Sequence, residues 1–268
     1  MGLGFHASTL PRFSTNPTSH LNTKLNLISS LNPLNPKMGD ISHRVSIRWL
    51  PSPPSEPTST IVLTSPERRF VDIRLLLNAQ PSPDGTYSLD ALDWAIAGSS
   101  SYTELKASDG SAYTHGKWSH WISSRTASAD GVADEGDNYP QADGTILEKG
   151  RMLNPDTGEV GDYGEVWRSE EVEAVDGVGC LVLRLEKEGR RGLLVRLGKY
   201  IQAIVRTGSG EGNVTVERLV WEGGEWVKKA RIGEAEVPTD WAGYIGGNAE
   251  VDDEVKVGGD IWTVIEKV

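Results

Sequence analysis

The stretch TIVLTSPERRFVDIRLL, residues 60–76, decides the fold, because it holds two apolar runs on either side of a short polar turn. The runs are rich in β-branched residues and alternate between apolar and polar side chains, as strands do. Between them, SPER has its proline at the second position, which a type I turn prefers. The stretch therefore predicts a β-hairpin.

The second arm of this hairpin has two different faces. Val71, Ile73 and Leu75 alternate with Asp72 and Arg74, and successive residues of a strand point to opposite sides of the sheet. We expect the three apolar residues in the core of a barrel. Arg74 could face solvent, a ligand cavity or a partner protein. Because an unpaired buried charge costs several kcal/mol, we favour solvent or a partner.

The second half of the chain repeats this pattern. Residues 180–198, CLVLRLEKEGRRGLLVRLG, again contain an apolar strand, a charged turn, a double arginine and a strand with an arginine near its end. Self-similarity at the length of one domain indicates duplication of a β unit. Arg196 takes the place of Arg74, and we expect it to face a partner as well. The second copy would bury Leu193, Val195 and Leu197.

The whole pattern predicts an all-β protein with a barrel or sandwich in each half. The segment 88–98 has helical spacing, but its likeness to the second copy favours a strand over 92–97. We place the boundary between the units inside a segment dense in Gly, Asp, Asn and Pro. This gives an N-terminal barrel over 40–146 and a C-terminal barrel over 147–268.

Residues 1–39 form an extension of different composition. Residues 1–37 are rich in Ser, Thr, Asn and Pro and contain no acidic residue, so they cannot bury a core and we expect disorder. A secretory signal would need a continuous apolar region, which is absent. A mitochondrial transit peptide fits the missing acids, although Arg12 is the only arginine. The third alternative is a tail or a gene-model artefact, because Met38 begins MGDISHRVSIRW like a natural start.

The charge balance disfavours some partners. The formal net charge is −11, and residues 1–37 contribute +3, which leaves −14 on the rest. An acidic surface disfavours nucleic acid and anionic lipid, which bind to Lys and Arg. No apolar run approaches the roughly 20 residues that span a bilayer. We therefore expect a soluble intracellular protein that binds no nucleic acid.

The residues that bind metals are too few and too scattered to predict a metal site. One cysteine and five histidines do not supply the three or four clustered ligands of a zinc site. The acidic run at 134–137 lacks the spacing of an EF-hand. Cys180 lies in an apolar run, where we expect a small buried hydrophobe. We predict no metal and no cofactor.

Two aromatic clusters are candidate binding sites. In a strand, Tyr163, Glu165 and Trp167 share one face and could line a small-ligand pocket inside a barrel. The alternative is that Trp167 fills the core while Glu165 pairs with an arginine. His120 and Trp121 lie on opposite faces of their strand, and His120 would need an orienting carboxylate to act as a base. The candidate ligand-binding set is Trp94, His120, Trp121, Tyr163, Glu165 and Trp167.

Several stretches together resemble the fungal Hri family, whose members are named as interactors of a yeast casein kinase 1 homologue. They include SIRW at 46–49, LDWAIAG at 92–98, LEKGRMLNPDTG at 147–158 and YGEVWR at 163–168. The resemblance implies two consecutive lipocalin-like (calycin-type) antiparallel β-barrels and no established enzymatic activity. It also implies a location in cytoplasm and nucleus. The implied partners are a casein kinase 1 homologue and a peripheral subunit of the endoplasmic reticulum translocation machinery.

Three functional hypotheses follow. The leading one is a non-enzymatic protein-interaction module built from two β-barrels. The second is a lipocalin-like carrier of a small apolar molecule, and the third is an enzyme of unknown class that uses His120 or Glu165. Casein kinase 1 favours a Ser or Thr three residues after an acid. Glu56 and Ser59 have this spacing, so Ser59 is a candidate phosphorylation site.

Overall fold

The computed structural model describes Met1 and residues 38–155, 157–210 and 212–268. From Met38 onward, these residues belong to one compact body. The expected disorder of the N-terminal extension, and the alternatives for its origin, concern residues outside this description.

Eight consecutive antiparallel strands form a closed barrel. Each strand pairs with the next along the chain, and β8 pairs with β1 to close the ring. The strands are β1 (Asp40–Trp49), β2 (Thr58–Thr64), β3 (Arg69–Leu76), β4 (Leu92–Lys106), β5 (Ala112–Ser123), β6 (Ala133–Pro140), β7 (Ile146–Leu153) and β8 (Val160–Glu170). The predicted antiparallel barrel is confirmed, and its up-and-down, eight-stranded form is that of lipocalins.

The described residues from Cys180 onward form a curled antiparallel sheet of seven strands that does not close into a ring. Its order is β13-β12-β11-β10-β9-β15-β14, so β13 and β14 are the edges. The elements are β9 (Cys180–Lys187), β10 (Arg190–Leu197), β11 (Tyr200–Thr207), β12 (Val214–Glu222), β13 (Glu225–Ile232), α1 (Thr239–Tyr244), β14 (Glu254–Val257) and β15 (Asp260–Lys267). The all-β class is confirmed.

The hairpin predicted from turn chemistry at residues 60–76 is also confirmed. Residues 60–76 form most of the β2–β3 hairpin. In the β12–β13 hairpin, Trp221 and Trp226 pair across the ladder with ring centroids 5.4 Å apart. The helical spacing at 88–98 produces one 3-10 turn, Leu89–Ala91, which leads directly into β4.

The boundary predicted at 146/147 is corrected by the pairing of β7 and β8. β7 pairs with β6, and β8 pairs with both β7 and β1, so both strands complete the first barrel. The first unit therefore extends to Glu170, and the second sheet begins at Cys180. Turn-rich composition marks a hairpin at this point, and composition alone does not distinguish a hairpin from a domain boundary.

The apolar face of the β2–β3 hairpin points out of the barrel. Its three apolar residues pack in one core with the residues that repeat them in the second sheet: Val71, Ile73 and Leu75 with Leu193, Val195 and Leu197. The two repeated hairpins thus pack against each other. The prediction that each apolar face fills its own barrel is wrong, and the alternate positions of β3 line the lumen.

The other face of the second sheet has a core of its own. It contains Leu194 and Trp262, and α1 packs on it through Ala242. The indole nitrogen of Trp226 donates to Gly243 O at 3.0 Å, which ties β13 to this helix. The second sheet is therefore buried on both faces, by the barrel on one side and by α1 on the other.

Two polar side chains of the second sheet bind backbone groups of the barrel. Gln202 donates to the carbonyls of Ile61 and Val71, both at 3.0 Å. Arg218 donates to Ile73 O and to Gln202 Oε1, both at 2.7 Å. Burial lowers the pKa of Arg218 to about 10. These hydrogen bonds satisfy polar groups within an apolar contact and position one unit on the other.

Ile73→Ala tests whether the outer face of the barrel contributes to a hydrophobic core. Ile73 is 0% exposed, so we expect the free energy of unfolding to fall by about 2–5 kcal/mol. Leu77→Ala, just beyond the same strand at a 60% exposed position, is the control and should change it by less than about 1 kcal/mol. Urea unfolding measures both variants, and equal losses would contradict this core.

Candidate functional site in the barrel lumen

Five of the six candidate ligand-binding residues face the lumen of the barrel. Trp94 lies on the lumen side of β4, and its ring meets the ring of His120 edge-on, with centroids 5.8 Å apart. Tyr163, Glu165 and Trp167 occupy alternate positions of β8 and share its lumen face, as predicted.

Arg74 also lies in the lumen, so the prediction that it faces solvent or a partner is wrong. Arg74 is 8% exposed, and it donates to Asp72 Oδ2 through Nε at 2.9 Å and Nη2 at 2.8 Å. Its Nη1 lies 3.6 Å from Glu165 Oε1. Burial by itself lowers the pKa of Arg74, but the two carboxylates outweigh it and the net pKa is raised. The charge is buried but paired, which removes the objection to an interior arginine.

A second buried arginine shares Glu165. Arg44 Nη1 donates to Glu165 Oε1 at 2.6 Å, and Arg44 Nε donates to Glu56 Oε2 at 2.9 Å. Arg44 Nη2 also donates to Thr58 Oγ1 at 2.7 Å. Glu165 therefore lies between two guanidinium groups, and of the two alternatives for this residue the pairing with arginine is the one observed.

The carboxyl group of Glu148 lies beside this network. Glu148 is 6% exposed, and Tyr163 Oη donates to its Oε1 at 2.7 Å. Burial, together with the charge of Glu165, raises the pKa of Glu148 to about 8. At neutral pH this carboxyl group is therefore mostly protonated. The pKa of Tyr163 is raised as well, by burial and by Glu148.

The side of the lumen between β5 and β8 is filled by the protein's own side chains. A Cβ atom at Gly136 would lie 2.9 Å from Glu148 Cγ, and one at Gly150 would lie 2.6 Å from Tyr163 Oη. Gly116 makes room in the same way for Trp118, whose ring lies 2.6 Å from such an atom. The glycines admit large neighbours, as glycine within a strand often does.

The lumen also contains buried polar atoms that have no hydrogen-bond partner within the described residues: Asp72 Oδ1, Ser100 Oγ, His120 Nδ1 and Trp167 Nε1. Asp72, Ser100 and His120 are 4%, 7% and 6% exposed. His120 uses only its other nitrogen, which lies 3.1 Å from Asp134 Oδ2. Buried polar atoms are nearly always paired with protein or with ordered water. Water or a ligand bound in the lumen would supply the missing partners of these atoms.

Trp121 is the candidate that lies outside the lumen. A bulge in the β4–β5 pairing places both Trp121 and Ile122 on the outer face, against the second sheet. The guanidinium groups of Arg184 and Arg191 lie 4.3 and 5.6 Å from the centre of the Trp121 ring. Trp121 therefore belongs to the contact between the two units.

Arg196 does not face a partner either. It is 0% exposed, and its guanidinium group donates to the carbonyl oxygens of Ala242, Gly243 and Val175 at 2.8, 3.1 and 2.6 Å. Burial lowers the pKa of Arg196. Arg196 occupies the position in the β9–β10 hairpin that Arg74 occupies in the β2–β3 hairpin. Arg196 donates to backbone carbonyls, whereas Arg74 donates to a carboxylate.

Ser59 is half-buried in β2 at the contact between the units. Arg218 Nη1 donates to its Oγ at 3.0 Å. A kinase needs a free hydroxyl group on an accessible segment, whereas this one is held in a strand of a closed barrel. The candidate phosphorylation site is therefore not accessible in the folded protein.

Several lumen residues are missing from the sequence-based ligand-binding set, among them Arg44, Glu56, Asp72, Ser100 and Glu148. A bulge after Arg44 breaks the alternation of β1, so its face cannot be counted from the pattern. Glu148 belongs to β7, which the sequence places in the other unit. Gly136 and Gly150, on β6 and β7, are the signal that could have located it, because glycine in a strand marks a close approach.

The structure adds two findings on metal and thiol chemistry. Among the described residues, no group of three His, Cys, Asp or Glu side chains is arranged to hold a metal ion. Cys180 is free and buried, and burial raises the pKa of its thiol.

In the part of the chain that the structure describes, no helix has the length and apolar character needed to cross a bilayer.

Comparisons with known proteins identify similar sequences and structures. A family model described as Protein HRI1 matches residues 40–266. The crystal structure of an uncharacterized protein from Saccharomyces cerevisiae is similar, with a TM-score of 0.66 and 18% identity over 86% of this chain and 99% of that chain. At this identity the likeness shows the fold alone. Curated protein sequences gave no significant match.

Glu148→Gln tests the buried carboxyl group. Because the folded-state pKa of about 8 lies above the ordinary 4.5, the folded protein binds more protons than the unfolded chain between these values. Stability therefore falls as pH rises through this window. The glutamine stays neutral and can still accept from Tyr163. We expect the variant to gain stability over the wild type with rising pH, by on the order of 4 kcal/mol between pH 5 and 8.

Urea unfolding at four pH values from 5 to 8 measures this effect. The control is Glu135→Gln on β6, an exposed carboxylate whose pKa is lowered, first of all by its hydrogen bond with Lys117. Its stability profile above pH 5 should run parallel to that of the wild type. A parallel profile for Glu148→Gln as well would contradict the raised pKa.

Proposed function

This chain belongs to the HRI1 family, and on that premise we propose that it is a non-enzymatic binding protein whose barrel holds a small polar ligand. One observation carries the proposal: the unpartnered buried atoms of Asp72, Ser100, His120 and Trp167 lie in the lumen. Leaving such an atom unpaired costs about 1–3 kcal/mol. A molecule that pairs with these atoms removes that cost, and the lumen then acts as the binding site of a lipocalin-like barrel.

The unpartnered atoms define the chemistry of the ligand. The carboxylate of Asp72 that binds Arg74 accepts hydrogen bonds, the indole of Trp167 only donates, and the hydroxyl of Ser100 does either. The ligand therefore offers at least one donor and one acceptor. Phe70 and Trp94 supply an apolar surface in the same lumen. A small hydroxylated molecule meets these requirements, whereas a purely apolar ligand would leave the polar atoms unpaired.

The proposal assigns binding rather than a chemical step to the lumen. Glu165 is held by Arg44 at 2.6 Å and lies 3.6 Å from Arg74, so its charge is already used to neutralise the two arginines. His120 has an orienting carboxylate in Asp134, and its free Nδ1 is available as a hydrogen-bonding contact for the ligand. The packed side of the lumen, between β5 and β8, limits the ligand to a small molecule.

Interaction with partner proteins is a second candidate function, and an exposed apolar rim at one end of the barrel favours it. Leu50 follows β1, and Leu153 and Val160 lie opposite each other in the β7–β8 ladder. They are 50%, 59% and 61% exposed. Clustered exposed apolar side chains mark interaction surfaces. From the family resemblance, the proposed partners are a casein kinase 1 homologue and a peripheral subunit of the endoplasmic reticulum translocation machinery, in cytoplasm and nucleus.

Native mass spectrometry of the full chain, purified from its own cells, tests the ligand. We expect a species heavier than the bare chain by the mass of one small molecule. His120→Phe removes the free nitrogen and should eliminate this species. His115→Phe, on the same strand with a side chain that is 39% exposed, is the matched control and should retain it. The bare mass alone in the wild type would reject the ligand, and retention in both variants would exclude His120 as a contact.

Binding to a purified casein kinase 1 homologue, followed by biolayer interferometry, tests the partner. We expect the wild type to bind and the double variant Leu153→Ser/Val160→Ser to lose about tenfold or more in affinity, since apolar anchors dominate binding energy. Ile261→Ser, at a 45% exposed position of the second sheet, is the control and should bind normally. A wild type that fails to bind would remove this partner and leave the ligand proposal intact.

A further inference from the structure

A cleft of about 630 Å3 lies between the barrel and the turns of the second sheet. On the barrel side it is lined by the end of β5 and the following loop, from Trp121 to Ala129. On the other side it is lined by the β9–β10 turn around Gly189 and by Gly208 and Ser209 after β11. Small-molecule sites in proteins have volumes of roughly 300–1,000 Å3, so the cleft has a suitable size.

Four cations line this cleft, Lys187, Arg190, Arg191 and Arg206, together with two carboxylates, Glu186 and Glu188. Arg184 donates to Glu186, so that charge is already paired. Arg190 pairs with Asp260 at 2.7 Å, and Arg191 makes two hydrogen bonds to Asp130 at 2.7 and 3.0 Å. The amine of Lys187 lies 3.6 Å from Asp260, which Arg190 already holds more closely. The charges of Arg190 and Arg191 are thus balanced within the protein.

Arg206 differs from the other three, because no carboxylate of a described residue lies within 4.0 Å of its guanidinium group. Arg206 is 7% exposed and donates to the carbonyl oxygens of Ser123 and Gly210 at 3.0 and 3.1 Å. Its Nε is buried and has no partner. Burial lowers the pKa of Arg206. Burying a cation is costly, so an anion bound beside Arg206 would be stabilised.

Arg196 and Arg218 are also buried and also donate to backbone carbonyls, so this arrangement by itself is structural. Arg196 lies beneath α1, and Arg218 lies in the contact between the two units. Neither lines the cleft, whereas Arg206 does. Arg206 is thus the one of these three carbonyl-bound arginines that a small molecule in the cleft can approach.

We propose that this cleft binds a small organic oxyanion, with a phosphate or carboxylate group seated against Arg206. Arginine recognises both groups through charge-assisted hydrogen bonds. Lys187, the last residue of β9, supplies a second cation to the lining of the cleft. Trp121 forms part of the barrel wall, and its ring reports on occupancy of the cleft. This site is separate from the lumen. It binds an anion, whereas the ligand proposed for the lumen is a hydroxylated molecule.

The test is a titration of the full 15N-labelled chain with inorganic phosphate and, in a second arm, with succinate, at constant ionic strength set by chloride. The readout is the indole N–H cross peak of Trp121, assigned with Trp121→Phe. We expect a saturable shift of this peak with at least one of the two anions, and the arm that saturates identifies the recognised group. Arg206→Gln should raise the dissociation constant about tenfold or more.

Lys149→Gln, on β7 of the barrel and outside the cleft, is the charge-matched control and should titrate like the wild type. If Arg206→Gln does not fold, Lys187→Gln replaces it, because this side chain is 60% exposed and should weaken binding without unfolding. The proposal is overturned if neither anion moves the Trp121 peak more than chloride does. It is also overturned if the cleft variants titrate like the wild type.

Discussion

The packing of the outer face of the barrel against the second sheet is the constraint on which the rest of the structure depends. In a strand, alternate residues point to opposite sides, so a hairpin that commits Val71 and Ile73 to the outside must send Asp72 and Arg74 inside. The usual arrangement of a soluble barrel, with an apolar interior and a polar exterior, is therefore reversed along this hairpin. The second sheet provides the cover that makes the reversal stable.

The polar lumen is stable because its charges are matched to one another. Arg44 and Arg74 meet Glu165 from two different strands, and each also binds a second carboxylate, Glu56 for Arg44 and Asp72 for Arg74. Removing one partner from such a network leaves a buried charge without compensation, which costs more than the pair contributes. The lumen is thus specific in its chemistry, and any ligand has to fit a fixed pattern of donors and acceptors rather than a plastic apolar space.

Periodicity and turn chemistry were sufficient to predict the hairpin at 60–76 and the shared face of Tyr163, Glu165 and Trp167, because both depend on neighbouring residues only. They could not show which face is inside, since an alternating strand has the same pattern when it is turned over. The desolvation argument placed Arg74 outside because Glu165, which neutralises it, lies far along the chain. The position of the domain boundary was mispredicted for the same reason, because the pairing of β8 with β1 is a long-range contact.

The face-to-face packing of the two repeated hairpins has a consequence for how the two units stay associated. Without the second sheet, the barrel would expose Val71, Ile73 and Leu75 to solvent. Because both units belong to one polypeptide, their association does not depend on protein concentration. The second sheet, with Arg196 bound to backbone carbonyls under a helix, is thus the permanent partner of the closed ring.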